Sequence, residues 1–281
     1  MPEYDPLYIA ARSVLLDALE ALGPQREAVI VVGAQAVYLR TGDADISVAP
    51  YTTDADLALS PRDLAGEPHI EKLMLAGAFS QDGKQPGAWV KSVRVGGQNV
   101  DIPVDLMVPE GLAPPGGSRS ARIEPHDKMA ARKAIGLEGV VIDNDLMDIV
   151  GLEVVETRSL SVRVAGPAAL VVAKLHKLHE RLLAGKEDRI ADKDAADVYR
   201  ILQAVPVGVF LGRLRPLLAD PVAAAPSAAA LGFLGELFGA RASRGVQMAV
   251  EALRVGVPAE RVEAVCTSFV RAVDDGLWGR R

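Results

Sequence analysis

Two aspartates set two residues apart, in Thr52-Thr53-Asp54-Ala55-Asp56-Leu57, are the residues whose types and spacing point most directly to chemistry. In an extended strand the side chains at i and i+2 project from the same face, so both carboxylates converge. Like charges held that close are unfavourable unless solvent screens them or a cation bridges them. Hard divalent cations such as magnesium take oxygen ligands and suit a carboxylate pair completed by substrate phosphates. A third acid on a neighbouring strand would complete a two-metal clamp for in-line displacement at phosphorus. Asp105, the lone charge in Val104-Asp105-Leu106-Met107-Val108, supplies one and is expected to be buried in an apolar strand. Asp101 shares its parity but stands beside Pro103, nearer the strand start, and ranks below it. Asp43-Ala44-Asp45 has the same spelling but follows Thr41-Gly42 without an apolar strand, and reads as a surface loop. The plainer readings are a solvated strand face for Asp54 and Asp56, and a buried or capping acid for Asp105.

Upstream, Gly33-Ala34 follows the apolar run Ala28-Val29-Ile30-Val31-Val32 and precedes a helical pattern. A residue without Cβ at a helix N-terminus lets a phosphate approach backbone N–H groups that also carry the helix dipole. Glycine at such a junction also serves packing alone. Lys174, Lys177 and Arg181 share one helix face at i, i+3 and i+7. Asp194 and Asp197, at i and i+3, belong to the next helix, and Arg181 could equally pair with either. His176 and His179 read as surface residues, because a zinc site needs more ligands than His69 and His126 could add. The main basic cluster is Arg119, Arg122, His126, Lys128, Arg132 and Lys133, a landing place for an RNA backbone or a plain solvated face. Tyr38 is expected in the core. No Gly-x-Ser-x-Gly elbow, Walker lysine loop or dinucleotide fingerprint occurs.

The elements that must position these residues form two domains. Residues 1–165 read as α/β (α+β) with a mixed sheet, and residues 166–281 as an all-helical C-terminal domain. Helices are expected over Tyr8–Leu22, Ala34–Arg40, Ile70–Gly77 and from Pro167 through Arg181. Strands are expected over 28–32, 54–58, 89–95, 99–108, 139–142 and 159–164, with a turn at Gly96-Gly97. Residues 112–120 read as a loop. In 281 residues with 49% hydrophobic side chains a large core is affordable, and Cys266, the single cysteine, excludes a disulfide framework and a thiolate zinc cage. The first ten residues lack a basic start and an apolar core, so no secretory signal is expected. The stretch from Pro221 to Ala240 is broken by Pro226 and carries Glu236, a poor candidate for a membrane span. A soluble, cytoplasmic chain is expected. Its net charge of −6 excludes affinity built on blanketing phosphates with basic side chains.

A Gly-small pair ending a strand, a D-x-D on the next and a lone Asp on a third look like the DNA polymerase β-type nucleotidyltransferase superfamily. More narrowly, Val32-Gly33-Ala34-Gln35-Ala36 and Thr53-Asp54-Ala55-Asp56-Leu57 resemble the AbiEii/MenT-like nucleotidyltransferase toxins. So do Ala173-Lys174-Leu175 with Arg181, and Lys193-Asp194-Ala195-Ala196-Asp197-Val198-Tyr199. The resemblance implies a magnesium-dependent enzyme that transfers NMP from an NTP to an acceptor hydroxyl, foremost RNA at the tRNA 3′ end. It implies a toxin paired with an antitoxin protein. Asp54, Asp56 and Asp105 would bind two Mg2+ ions. Gly33, Ala34, Lys174 and Arg181 would hold the NTP, and Lys174 and Asp194 would join the three acids in catalysis. Ala34 stands where the wider superfamily has Ser or Gly, and Lys177 where an apolar residue is commoner. Two other functions fit the residues: transfer to a cationic small molecule of aminoglycoside type, which the acidic charge favours, and a non-catalytic nucleotide-binding scaffold.

Overall fold

A computed structural model describes residues 4–42, 51–83, 85–116, 118–153, 155–185 and 189–279. The Asp43-Ala44-Asp45 segment lies outside the described residues. In chain order the elements are α1 (Pro6–Ala21), β1 (Val29–Val32), α2 (Gly33–Thr41), β2 (Ala55–Leu59), α3 (Ile70–Ala76), β3 (Ser80–Gln81), β4 (Ala88–Val95) and β5 (Gln98–Pro109). There follow β6 (Arg132–Ala134), β7 (Asn144–Val150), β8 (Ser159–Ala165), α4 (Pro167–Leu183), α5 (Arg189–Ala204), α6 (Val207–Ala219), α7 (Ala224–Phe238), α8 (Arg244–Leu253) and α9 (Ala259–Trp278). The architecture is mixed α/β.

The chain divides into two compact units. The first holds the whole sheet, with strand order β3-β4-β5-β2-β1-β8-β7 and β6 pairing the end of β5. β2 runs parallel to β5, and β1 parallel to β8; the β1–β2, β4–β5 and β7–β8 pairs are antiparallel. β1 is central and buried throughout, which suits its four β-branched residues. Gly96 (φ +56°) and Gly97 (φ +85°) make the tight β4–β5 turn, both in the left-handed region that a two-residue hairpin of this twist requires. α1 starts at Pro6, with the Asp5 side chain accepting from Leu7 N–H at 2.7 Å, a capping contact that satisfies an orphan donor. α1 covers one face of the sheet: Lys91 of β4 pairs with Asp17 of α1 at 2.8 Å, and Lys91 shares that face with its register partner Ile102 of β5.

The second unit is built from α4 to α9, the second half of α2 and residues 138–143. α4 packs on α5, α6 and α7, and α5 on α8 and α9. Pro167 opens α4 as expected of an N1 proline, and the Asp143 carboxylate accepts from Ala169 N–H at 2.9 Å. Within this unit the Arg200 guanidinium lies over the buried Tyr38 ring, 5.4 Å from its centroid.

The strand expected over 139–142 is instead a 3-10 turn, Glu138–Val141, and the strand follows it as β7. The Gly139 carbonyl accepts from Ile142 N–H at 3.1 Å and from Asp143 N–H at 2.8 Å, so its backbone is spent on a local turn and not on a strand ladder. Among the described residues no single helix is long and apolar enough to cross a membrane; the apolar 221–240 stretch contributes α7, of 15 residues.

Candidate functional site

The sheet brings two of the three expected acids, Asp56 and Asp105, to one face. Asp56 and Asp105 are direct register partners on the parallel strands β2 and β5, so their side chains project to the same side, with backbones roughly 4.8 Å apart. Asp54 precedes Asp56 by two residues and lies just before the start of β2. This is the face opposite α1, because Val104 and Leu106 point into the core beneath α1 while Asp101, Pro103 and Asp105 alternate outward. Asp105 is thereby corrected from its expected burial: its side chain is 33% exposed, and strand alternation rather than local apolarity sets its environment. Asp101 is exposed, with its carboxylate accepting from the Ser92 hydroxyl across the hairpin.

Gly33 fits against this face. It opens α2 with φ +69°, and a Cβ built on it would lie 2.0 Å from Asp56 Oδ2 and 2.7 Å from Asp56 Cβ. No other residue type satisfies both the left-handed backbone and this approach. The fit leaves the Asp56 carboxylate beside the first turn of α2, where unpaired N–H groups favour negative charge.

Each of the other two acids has a partner. The Thr52 hydroxyl, fully buried, donates to Asp54 Oδ1. Arg132 of β6 donates from a terminal guanidinium nitrogen to Asp105 Oδ2 at 2.8 Å. Gly87 (φ +74°) makes the strand geometry possible there, since a Cβ would meet Leu106 O at 2.3 Å and Arg132 N at 2.7 Å.

Behind Asp54 lies a buried polar relay that sequence reading missed. Gln35 Nε2 donates to the Asp54 and Ala11 carbonyls, both at 3.1 Å, and Gln35 Oε1 accepts from Arg12 Nε at 2.8 Å. Arg12 also donates to Val150 O at 3.1 Å and to the Tyr8 hydroxyl at 3.2 Å. Burial holds its pKa below the ordinary arginine value, against the pull of Tyr8. Arg12 stands in the apolar stripe of α1 with Tyr8, Leu15 and Leu19, a signal the sequence did contain.

The donors on the acid face are carboxylates, which suits a hard divalent cation, and the space a Cβ would take at Gly33 is filled by the Asp56 side chain itself. Yet among the described residues no three His, Cys, Asp or Glu side chains are already gathered as a metal cage. Arg132 engages Asp105, and Thr52 engages Asp54. The residues therefore offer carboxylate donors of the kind the ion takes, with Asp105 Oδ2 held by Arg132.

In the helical unit, Lys174, Asp194 and Asp197 come together in the core. Lys174 Nζ donates to Asp194 Oδ1 at 2.6 Å and Asp197 Oδ2 at 2.7 Å. Lys177 Nζ stands 3.2 Å from Asp194 Oδ2, and Arg181 Nε 3.8 Å from the same atom. Burial alone would lower the Lys174 pKa, but Asp194 and Asp197 outweigh it and hold it well above the ordinary value. Burial would likewise raise Asp194, and Lys174 with Lys177 outweigh it and lower it. Lys174 is thus a charge-satisfied member of an ion-pair cluster, and Arg181 joins the cluster through Asp194.

The histidines and the basic cluster also differ from expectation. His176 is buried rather than on the surface, its Nε2 2.8 Å from Pro226 O and its ring edge-on to Phe233. His179 stacks on the same Phe233 ring at 3.8 Å. His126 is buried, accepts from Ile70 N–H at 3.3 Å, and has its pKa lowered by burial, so it leaves the basic cluster. Lys133 is turned to the Pro114 and Gly116 carbonyls, leaving Arg119, Arg122 and Lys128 as the exposed cations of that group. Burial pushes the Cys266 thiol up to about 12, which makes it a core residue and a poor nucleophile. No protein-family model, curated protein or solved structure matches the chain.

Proposed function

We propose that the chain is a magnesium-dependent nucleotidyltransferase that moves NMP from an NTP to an acceptor hydroxyl. The observation that carries the proposal is the notch at Gly33, which seats the Asp56 carboxylate beside the first turn of α2 and in register with Asp105. A carboxylate kept only as a helix cap would not need Asp105 on the same face, and its presence favours a cation site. Divalent ions held there would supply electrostatic clamping of the entering and leaving oxygens. The backbone N–H groups at the start of α2, from Gly33 and Ala34 onward, are proposed to take the triphosphate. In the reaction, the acceptor oxygen bonds to the α-phosphorus as the bond to the bridging oxygen of the leaving pyrophosphate breaks. The hydroxyl proton passes to a carboxylate of this face. A role for Lys174, Asp194 and Arg181 in the transfer rests on the motif resemblance to AbiEii/MenT-like toxins, and any direct phosphate contact by Lys174 would have to displace a carboxylate partner.

RNA, and tRNA first, is the acceptor proposed, with an antitoxin protein as partner; the exposed Arg119, Arg122 and Lys128 are local positive charge on an otherwise acidic chain. The test is incubation with α-labelled NTPs, magnesium and either total RNA or cationic aminoglycosides. Label on RNA that is lost in Asp56→Ala is the expected result. Label confined to the small molecules would transfer the acceptor assignment to them, and equal labelling by the variant would end the proposal. One observation favours the non-catalytic scaffold reading: Arg132 gives Asp105 a counter-charge without any metal. Tight NTP binding without magnesium dependence or turnover would decide for it.

A further inference from the structure

Arg132 contacts an acid of this face, and neither the sequence motifs nor the proposed reaction assigns it a role. Asp56 and Asp105 are nearest neighbours across the β2–β5 pair, and like charges directly opposite one another repel. Arg132 meets that charge at a fixed point. Its backbone is pinned by the β5–β6 ladder, where Met107 pairs with Arg132, and by the close passage of Gly87, whose Cβ would lie 2.7 Å from Arg132 N. From there the guanidinium makes a single 2.8 Å contact to Asp105 Oδ2, with both side chains about one-third exposed (29% and 33%). A part-exposed, single-contact pair of this kind is weak enough to exchange partners. It contrasts with the Lys174 pair in the helical unit, which is buried and doubly held.

We propose that Arg132 is a place-holder cation: it neutralises Asp105 while no divalent ion is present and releases that carboxylate when one binds. This inference rests on the metal-site reading of the preceding section. Its consequence has an unusual sign, because removing the charge partner of a proposed metal-binding acid should strengthen cation binding. Without the guanidinium, Asp105 loses its counter-charge and its Oδ2 is open to ligation from the start. The gain is about fivefold in affinity, the worth of one part-exposed ion pair.

The experiment is titration of the full chain with Mn2+, read by the loss of free-ion paramagnetic signal, for the wild type, Arg132→Met, Arg132→Gln, Asp105→Asn and Asp56→Ala. Tighter Mn2+ binding by both Arg132 variants, with weaker binding by both aspartate variants, is the expected pattern. Unchanged or weaker binding by the Arg132 variants, with binding still lost in the aspartate variants, would overturn the place-holder role and leave the metal site standing. Binding that ignores all four substitutions, or no binding by any of the proteins, would overturn both. The two Arg132 substitutions differ in polarity, so a folding defect peculiar to one does not remove the test.

Discussion

Substituting Gly33 by alanine tests the geometry at the candidate site at the atom where it is tightest. Two separate costs act there. The left-handed backbone, φ +69°, costs an L-residue about 1–2 kcal/mol. The new methyl group would also sit 2.0 Å from Asp56 Oδ2 and 2.7 Å from Asp56 Cβ. A clash with the carboxylate end alone could be relieved by rotation, but the Cβ contact forces the β2 backbone or the start of α2 to move, an overpacking cost of about 1–3 kcal/mol. The sum is about 2–5 kcal/mol. Gly96→Ala provides the matched control: its φ is +56°, yet nothing lies within 4 Å of the added Cβ. It pays the backbone term alone, about 1–2 kcal/mol. In a domain of this size each kcal/mol lowers Tm by roughly 2–4 °C, so thermal and urea unfolding resolve the two variants. Mn2+ titration supplies the second reading, with Gly33→Ala weakened through displacement of Asp56 and Gly96→Ala unchanged. Equal destabilisation of the two variants, with Mn2+ binding intact in both, would refute the notch as the organiser of the site.

Other expectations are equally specific. Lys174→Met leaves Asp194 and Asp197 buried without their main counter-ion, and is expected to cost about 3–5 kcal/mol in urea unfolding at neutral pH. The native Asp194 pKa is lowered, so its contribution is present above its ordinary value of 3.8 and fades as pH falls through the native value; the gap between wild type and Lys174→Met therefore narrows in acid. A gap independent of pH would contradict the assignment of that stability to the ion-pair cluster. Gln35→Leu removes the acceptor of Arg12 Nε and the donor to the Ala11 and Asp54 carbonyls, and should destabilise by about 1–3 kcal/mol for each buried group left unpaired, read by the same unfolding curves. Loss of under half a kcal/mol would mean that the relay is incidental to Asp54.

Much of what positions the site was legible in the residues, for identifiable reasons. β1, α2 and β2 announce themselves by an unbroken β-branched run, a glycine, and an alternating acid pattern, and Gly96-Gly97 marks the β4–β5 hairpin. β7 was misplaced because it is an edge strand with Leu146 and Val150 facing outward, so its apolar residues do not alternate toward a core. The helix at Pro167 was legible from its proline, whereas its capping acid Asp143 was not, since that bond joins residues 26 positions apart. Asp105 was read from composition as buried, and only its pairing with β2 fixes which way it points. Arg132 is invisible as a neighbour of Asp105 for the same reason: its link to Asp105 spans 27 residues and depends on a three-residue strand joining the end of β5. His176 illustrates the converse. Its place on a lysine-rich helix suggests exposure, but Phe233 and the Pro226 carbonyl bury it.

The proposed function turns on binding of divalent cations together with an NTP at Asp54, Asp56 and Asp105. Crystals of the chain soaked with Mn2+ and a non-hydrolysable NTP analogue, measured for anomalous scattering, test it directly. The expected result is manganese density within about 2.0–2.6 Å of carboxylate oxygens of Asp56 and Asp105, with Arg132 drawn off Asp105 and the phosphates against the start of α2. Nucleotide and manganese bound away from these carboxylates, with the Arg132–Asp105 pair undisturbed, would contradict it.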